Sequence, residues 1–162
     1  WTWSHLYFFV LGDWERIYGP RELVGTEIGG RRFATDRNVK LGDLLSRGVG
    51  EFGYLYDLGD EWQHWITVER VFTPDPAVEY PVYVEGEKAG PPEDCGGPDG
   101  FAAIMDVLEG KDHPDRDDIL AFYGWFDPDD IFLERLEAML TRIRRSRRGG
   151  PPKGAPQRGT GA

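Results

Sequence analysis

Residues 51–68 read EFGYLYDLGDEWQHWITV, two runs rich in aromatic and β-branched side chains on either side of Leu58-Gly59-Asp60. Runs of this composition split by a Gly/Asp cluster read as paired strands. The expectation is an antiparallel hairpin of Glu51–Asp57 and Glu61–Phe72, with Gly59 supplying a positive φ in the turn. In the second strand a period of two places Trp62, His64, Ile66 and Val68 on one face and Glu61, Gln63, Trp65, Thr67 and Glu69 on the other. The first set is the one expected to face a core.

Working toward the N-terminus, Val39, Leu41, Leu44 and Leu45 take helical spacing, closed by Gly48. Residues 19–38 are dominated by glycine, arginine and acids and read as a long surface loop holding one short strand. Before it, His5–Leu11 and Trp14–Tyr18 are short β-type runs around Gly12-Asp13, a further hairpin. Toward the C-terminus, Tyr80–Val84 reads as a strand, and Gly90–Pro98 is too rich in Pro and Gly for a regular element. A helix is expected around Phe101, Ile104, Met105 and Leu108, ending at Gly110, and a second from Pro114 to about Tyr123. For a third, Asp127 is the expected cap and Pro128 the first residue, with Asp129 and Asp130 at the positive end of the dipole. The fold class is therefore α+β: a bent, mainly antiparallel sheet packed by C-terminal helices.

The chain has 162 residues, room for one ordinary domain, taken as 1–145, with 146–162 a disordered basic tail whose Gly/Pro/Lys/Arg composition buries too little to order itself. All 29 acids precede Thr141 while seven of the 19 bases follow it, so the body carries a net charge of −17 within an overall −10. Such a field repels phosphate backbones, and Arg142–Arg148 is the one candidate nucleic-acid contact, without the interleaved aromatics that stack bases. The single cysteine, Cys95, has no intramolecular disulfide partner, and no run of about 18 apolar residues offers a membrane span. A cytoplasmic location, no membrane partner and an unknown protein partner or small ligand are expected.

Two strings carry a family resemblance. YDLGDEWQHWITVE, Tyr56–Glu69, is similar to the hairpin signature of the plasmid pRiA4b ORF-3-like family, with Leu58 where that signature usually has Phe. YPVYVEGEKAGPPEDCGGPDGF, Tyr80–Phe101, resembles its second signature, the Pro-Pro-Glu-Asp-Cys-Gly-Gly loop leading into a helix. WSHLYFFVLG near the start, the His113-Pro114 helix start and FDPDDIFLERLEAML extend the resemblance over nearly all of Trp3–Leu140. It implies a bacterial or archaeal protein of plasmids and mobile elements, in a family some of whose members are called transposon passenger, resolvase-like proteins. The resolvase idea fails on this sequence: Ser4 and Ser46 are the only serines of the body, and its acidity opposes DNA binding. The family normally begins with a further strand and helix, so the chain is expected to be N-terminally truncated.

Several constellations could carry chemistry. Cys95 precedes a helix start, where a thiolate is favoured, and Gly96-Gly97 lets a ligand approach the backbone; a base would come from His5, His64 or His113. Glu93 and Asp94 beside the sulfur oppose this, and a free cysteine commonly serves as a small buried hydrophobe. Asp57, Asp60, His64, Glu93, Asp94 and Cys95 would converge on a ligand or a divalent metal if the hairpin turn adjoins the Pro-Pro loop. The plainer account makes His64 a core residue hydrogen-bonded to a nearby acid, Asp57 and Asp60 turn residues, and Glu93 or Asp94 the cap of the next helix. Two functional readings remain open: a non-catalytic binding or interaction module, and a metal- or thiol-dependent hydrolase or nuclease-like enzyme using Asp57, Asp60, His64 and Cys95. No cofactor is expected beyond that possible metal.

Overall fold

The structure is a computed structural model that describes residues 4–12 and 15–148, with side chains to Ser146. In chain order the elements are β1 (Tyr7–Leu11), β2 (Arg16–Gly19), a 3-10 turn (Arg21–Leu23), β3 (Glu27–Ile28), β4 (Arg31–Thr35), α1 (Leu41–Ser46), β5 (Glu51–Tyr56), β6 (Trp62–Thr67), α2 (Gly97–Leu108), α3 (Arg116–Tyr123) and α4 (Leu133–Arg148). The strands form one sheet in the order β3-β4-β2-β1-β5-β6, antiparallel except where β4 runs parallel to β2. The α+β class read from the sequence is the one found.

The described residues part into two compact units, those up to 71 with 91–126, and 72–90 with 127–148. The first holds the sheet, α1, α2 and α3. One sheet face carries a core of Phe8, Ile17, Leu23 and Phe33, with Val10, Ile28 and Leu55 packed on it. The other face is a row of rings, Tyr7, Phe9, Phe52, Tyr54 and Tyr56, continued by Trp62 and His64 of β6, because Tyr7 lies opposite Tyr56 and Tyr54 opposite His64. α2 covers the Tyr56 end of this face: Phe101 meets Trp62 edge to face at 6.1 Å and Phe126 at 5.9 Å. Ile104 and Val107 are buried beside it.

Three local expectations needed correction. The stretch 19–38 holds a 3-10 turn and two strands, because Phe33 and Leu23 are buried in the core and hold it against the sheet; the short apolar spacing is hard to see among arginines and acids. Tyr80–Val84 forms no strand, Pro81 having no N–H to donate and Val84 standing in solvent. In the hairpin, Gly59 does not take the positive φ. Asp57 (φ 59°) and Glu61 (φ 55°) take it at the two ends of the turn, and Asp57 tolerates this because its Oδ1 accepts the N–H groups of Gly59 (2.9 Å) and Asp60 (3.3 Å).

The second unit contains α4 and the segment 72–90. α4 begins at Leu133, six residues after the expected cap at Asp127. Asp127 Oδ1 accepts the N–H of Asp129 at 2.9 Å and Asp130 Oδ1 that of Phe132 at 2.8 Å. These side-chain turns compete with helical bonding, and Phe132 at φ 50° is not helical. Arg144 on α4 donates from Nε to the Pro81 carbonyl at 2.8 Å, and the N–H of Ala89 donates to the Pro128 carbonyl at 2.8 Å. α4 runs through Arg148, and the tail expected to be disordered lies, from Gly149 onward, outside the described residues. No helix among the described residues is long and apolar enough to cross a membrane.

Candidate functional site

The turn after β5 and the Pro-Pro-Glu-Asp-Cys-Gly-Gly loop do adjoin, and a third segment joins them. Because β1 pairs antiparallel with β5, the residues just before β1 lie beside the end of β5, where the N–H of Asp57 donates to the Leu6 carbonyl at 2.9 Å. His5 is thereby set against the turn. Its Nδ1 stands 3.4 Å from Asp57 Oδ2, and its Nε2 3.0 Å from Asp94 Oδ1 and 3.8 Å from Glu93 Oε2. The Tyr56 ring meets the imidazole edge to face at 5.9 Å.

Each acid is held by a different element. Asp57 is the one buried charged residue among the described residues, at 7% exposure, with one carboxylate oxygen used in the turn and the other toward His5. Glu93 accepts the Tyr56 hydroxyl at 3.1 and 3.2 Å; burial, with Glu93 adding to it, raises the Tyr56 hydroxyl above its ordinary pKa. Asp94 is exposed and sits at φ 54°, and its carbonyl accepts the Tyr123 hydroxyl at 3.3 Å. Neither Glu93 nor Asp94 caps α2. The cap position is Gly96 in a left-handed conformation with no side-chain cap bond, and the expectation of an acidic cap is corrected accordingly.

Cys95 is buried at 7% exposure. Burial first, then the Asp60 carboxylate, pushes its thiol up to about 11, so it stays protonated at neutral pH, the opposite of what a nucleophile needs. Burial first, then Cys95, Asp94 and Asp60, raises the Tyr123 hydroxyl as well. Asp60 Oδ2 is buried without a hydrogen-bond partner among the described residues.

The donor atoms that converge on one point are those of His5, Asp57 and Asp94, all within 4.8 Å of one another. Of the residues singled out from the sequence, Asp57, Glu93 and Asp94 gather here, with Cys95 and Asp60 beside them. His64 belongs to the ring row. It pairs with Tyr54, its Nδ1 lies 3.1 Å from the Tyr54 carbonyl and its ring is 5.3 Å from the Tyr54 ring. It is the hydrogen-bonded, half-buried residue of the plainer reading, with the Tyr54 carbonyl as a partner. His113 accepts the N–H of Asp115 at 3.2 Å. His5 was one of three histidines available as a base, and nothing in its local sequence marks it; only the adjacency of β1 to β5 brings it in.

Residues 1–135 match the family described as plasmid pRiA4b ORF-3-like protein. The chain belongs to that family. This pRiA4b ORF-3-like chain is 35% identical over 129 residues, 80% of its length, to the uncharacterised protein y4hQ of Sinorhizobium fredii, of which it covers 63%. It thus spans under two thirds of that relative. A crystal structure of a protein of unknown function, MM3350 from Methanosarcina mazei, shares its fold with a TM-score of 0.65 and 28% identity, covering 78% of this chain and 69% of the other.

Proposed function

We propose that the chain is a non-catalytic binding module whose binding centre is the His5, Asp57, Glu93 and Asp94 cluster, and whose ligand is cationic. One observation carries the reading. Donor atoms of His5, Asp57 and Asp94 all lie within 4.8 Å of one another, and at the flank Asp60 Oδ2 is buried without a hydrogen-bond partner among the described residues, where buried polar atoms are rarely left unsatisfied without a reason. Three carboxylates around one imidazole leave an excess of negative charge even when the ring is protonated, so a cation is the complement. The protonated, buried Cys95 supports binding over thiol catalysis.

The test is a thermal-melt comparison with cationic probes, namely divalent metal salts, spermidine and a Lys/Arg-rich peptide, against neutral and anionic controls. At least one cationic probe raises the melting temperature, and Asp94→Asn weakens that probe's binding about tenfold. Absence of any cation-specific shift, or a shift that survives Asp94→Asn, rejects the reading.

A further inference from the structure

We infer that the cationic ligand is a single divalent transition-metal ion of the zinc class, bound by His5 Nε2 and Asp94 with Glu93 adjacent, and with Asp57 orienting the imidazole from its Nδ1 side. This rests on the binding reading above and narrows it to one chemistry.

The first argument is size. Zinc holds nitrogen and oxygen ligands at about 2.0–2.2 Å, so neighbouring ligand atoms in a tetrahedral shell lie roughly 3.4 Å apart. His5 Nε2 stands 3.0 Å from Asp94 Oδ1 and 3.8 Å from Glu93 Oε2, spacings on either side of that edge. A polyamine spaces its ammonium groups further apart than the 4.8 Å within which the donor atoms of His5, Asp57 and Asp94 fit.

The second argument is donor type. Magnesium and calcium prefer all-oxygen shells of six or more ligands, whereas imidazole with carboxylate suits zinc and its neighbours. A ligating histidine commonly gives its second ring N–H to a carboxylate, which fixes the tautomer and leaves the other nitrogen bare for the ion. Asp57 Oδ2 occupies that position, 3.4 Å from Nδ1, while Nε2 is buried and faces Asp94 Oδ1 at 3.0 Å, the pair that would hold the ion. Asp57 is itself fixed by the N–H groups of Gly59 and Asp60, so the ring is held from a rigid turn.

The third is the path in. Asp94 is exposed while Asp57 is buried, so an ion reaches the imidazole from the Asp94 side. His5 and Asp94 as ligands leave room for water or a partner's side chain on the ion.

The experiment is calorimetric titration of chelator-treated full-length protein with zinc chloride, with magnesium chloride as comparison, and cobalt(II) as a spectroscopic probe. One equivalent of zinc binds, magnesium at the same concentration does not, and His5→Gln and Asp94→Asn each weaken zinc at least tenfold while Cys95→Ala changes nothing. The cobalt complex shows weak d–d bands without thiolate charge transfer. Asp94 is on the surface, so its variant stays decisive even if His5→Gln folds poorly. Zinc binding unchanged in the Asp94 variant, sulfur charge transfer, or equal binding of magnesium overturns the inference. If spermidine or the basic peptide binds in an Asp94-dependent way and zinc does not, the metal inference fails while the cation-binding reading stands; if no cationic probe binds, both fail.

Discussion

A β-carbon on Gly97 would stand 2.7 Å from the carbonyl oxygen of Asp60. The cysteine loop and the hairpin turn thus meet backbone against backbone, and this contact sets the distance between the segments that supply Asp57 and Asp94. Gly97 also has φ 67°, a conformation that suits glycine.

Gly97→Ala is therefore expected to destabilise the protein by about 3 kcal/mol, combining left-handed strain with a clash that needs backbone movement. Chemical denaturation gives the value. A loss under about 0.5 kcal/mol would mean that loop and turn do not touch as described.

Asp57 has two separable tasks. Asp57→Asn keeps an oxygen for the Gly59 and Asp60 N–H groups and tolerates a positive φ, so most of the stability survives. Asp57→Ala loses those bonds and the conformational tolerance, and should cost about 2–3 kcal/mol. Equal melting temperatures for the two variants would show that the turn does not depend on the side chain. Weaker cation binding in Asp57→Asn, at near-normal stability, would separate the charge from the scaffold.

Tyr56→Phe removes the hydroxyl that Glu93 accepts and leaves the ring in place. A hydrogen bond to a charged acceptor contributes about 1.5–3 kcal/mol, and solvent near Glu93 reduces this, so a loss of about 1 kcal/mol is expected in urea unfolding. No measurable loss would show that Glu93 is not fixed by Tyr56.

Alkaline pH should weaken the fold. Burial and Asp60 raise the Cys95 thiol from 9.0 to about 11. Above its ordinary pKa the unfolded thiol releases its proton while the folded one keeps it. The native state then binds more protons, and stability falls as pH rises from 9 toward 11. Tyr7, raised by burial and its bond to Asp36, and Tyr54, raised by burial, act in the same direction between 10 and about 12. Comparing urea midpoints at about pH 8.5 and about pH 10.5, the drop should be smaller in Cys95→Ala than in the parent. An identical drop would remove Cys95 from the account.

What could be read in advance follows from range. The hairpin of β5 and β6, the β1–β2 pair and α2 announce themselves through side-chain period and neighbouring glycines, all within a dozen residues. The site is non-local. Asp57 and Asp94 were visible as unusual loops, yet His5 enters only because β1 lies between β2 and β5, and strand order is not written in local composition. His64 drew attention by its position in the signature, while its chemistry is satisfied by the Tyr54 carbonyl within the same hairpin. The start of α4 was misplaced for a local reason: the same acids that cap helices also close turns on themselves.

β4 is the segment where composition misleads most, and it supplies the last test. Arg31 and Arg32 give it the look of a solvated loop, but Phe33 between them and Ala34 is 5% exposed and packs edge to face on Phe8 at 5.3 Å. Its backbone runs parallel to β2, with Ile17 opposite Phe33. One large side chain therefore fastens a strand whose other residues all face water. Phe33→Ala should cost about 3–4 kcal/mol, the usual price of truncating a buried ring, whereas Arg32→Ala, which breaks only an exposed pair with Glu27, should cost under about 0.5 kcal/mol. Hydrogen exchange would show where the Phe33 loss falls: protection at the amides of residues 26–35 collapses first and that of β5 and β6 survives. A small Phe33 effect, or uniform loss across the sheet, would mean that this stretch is not pinned by a single ring.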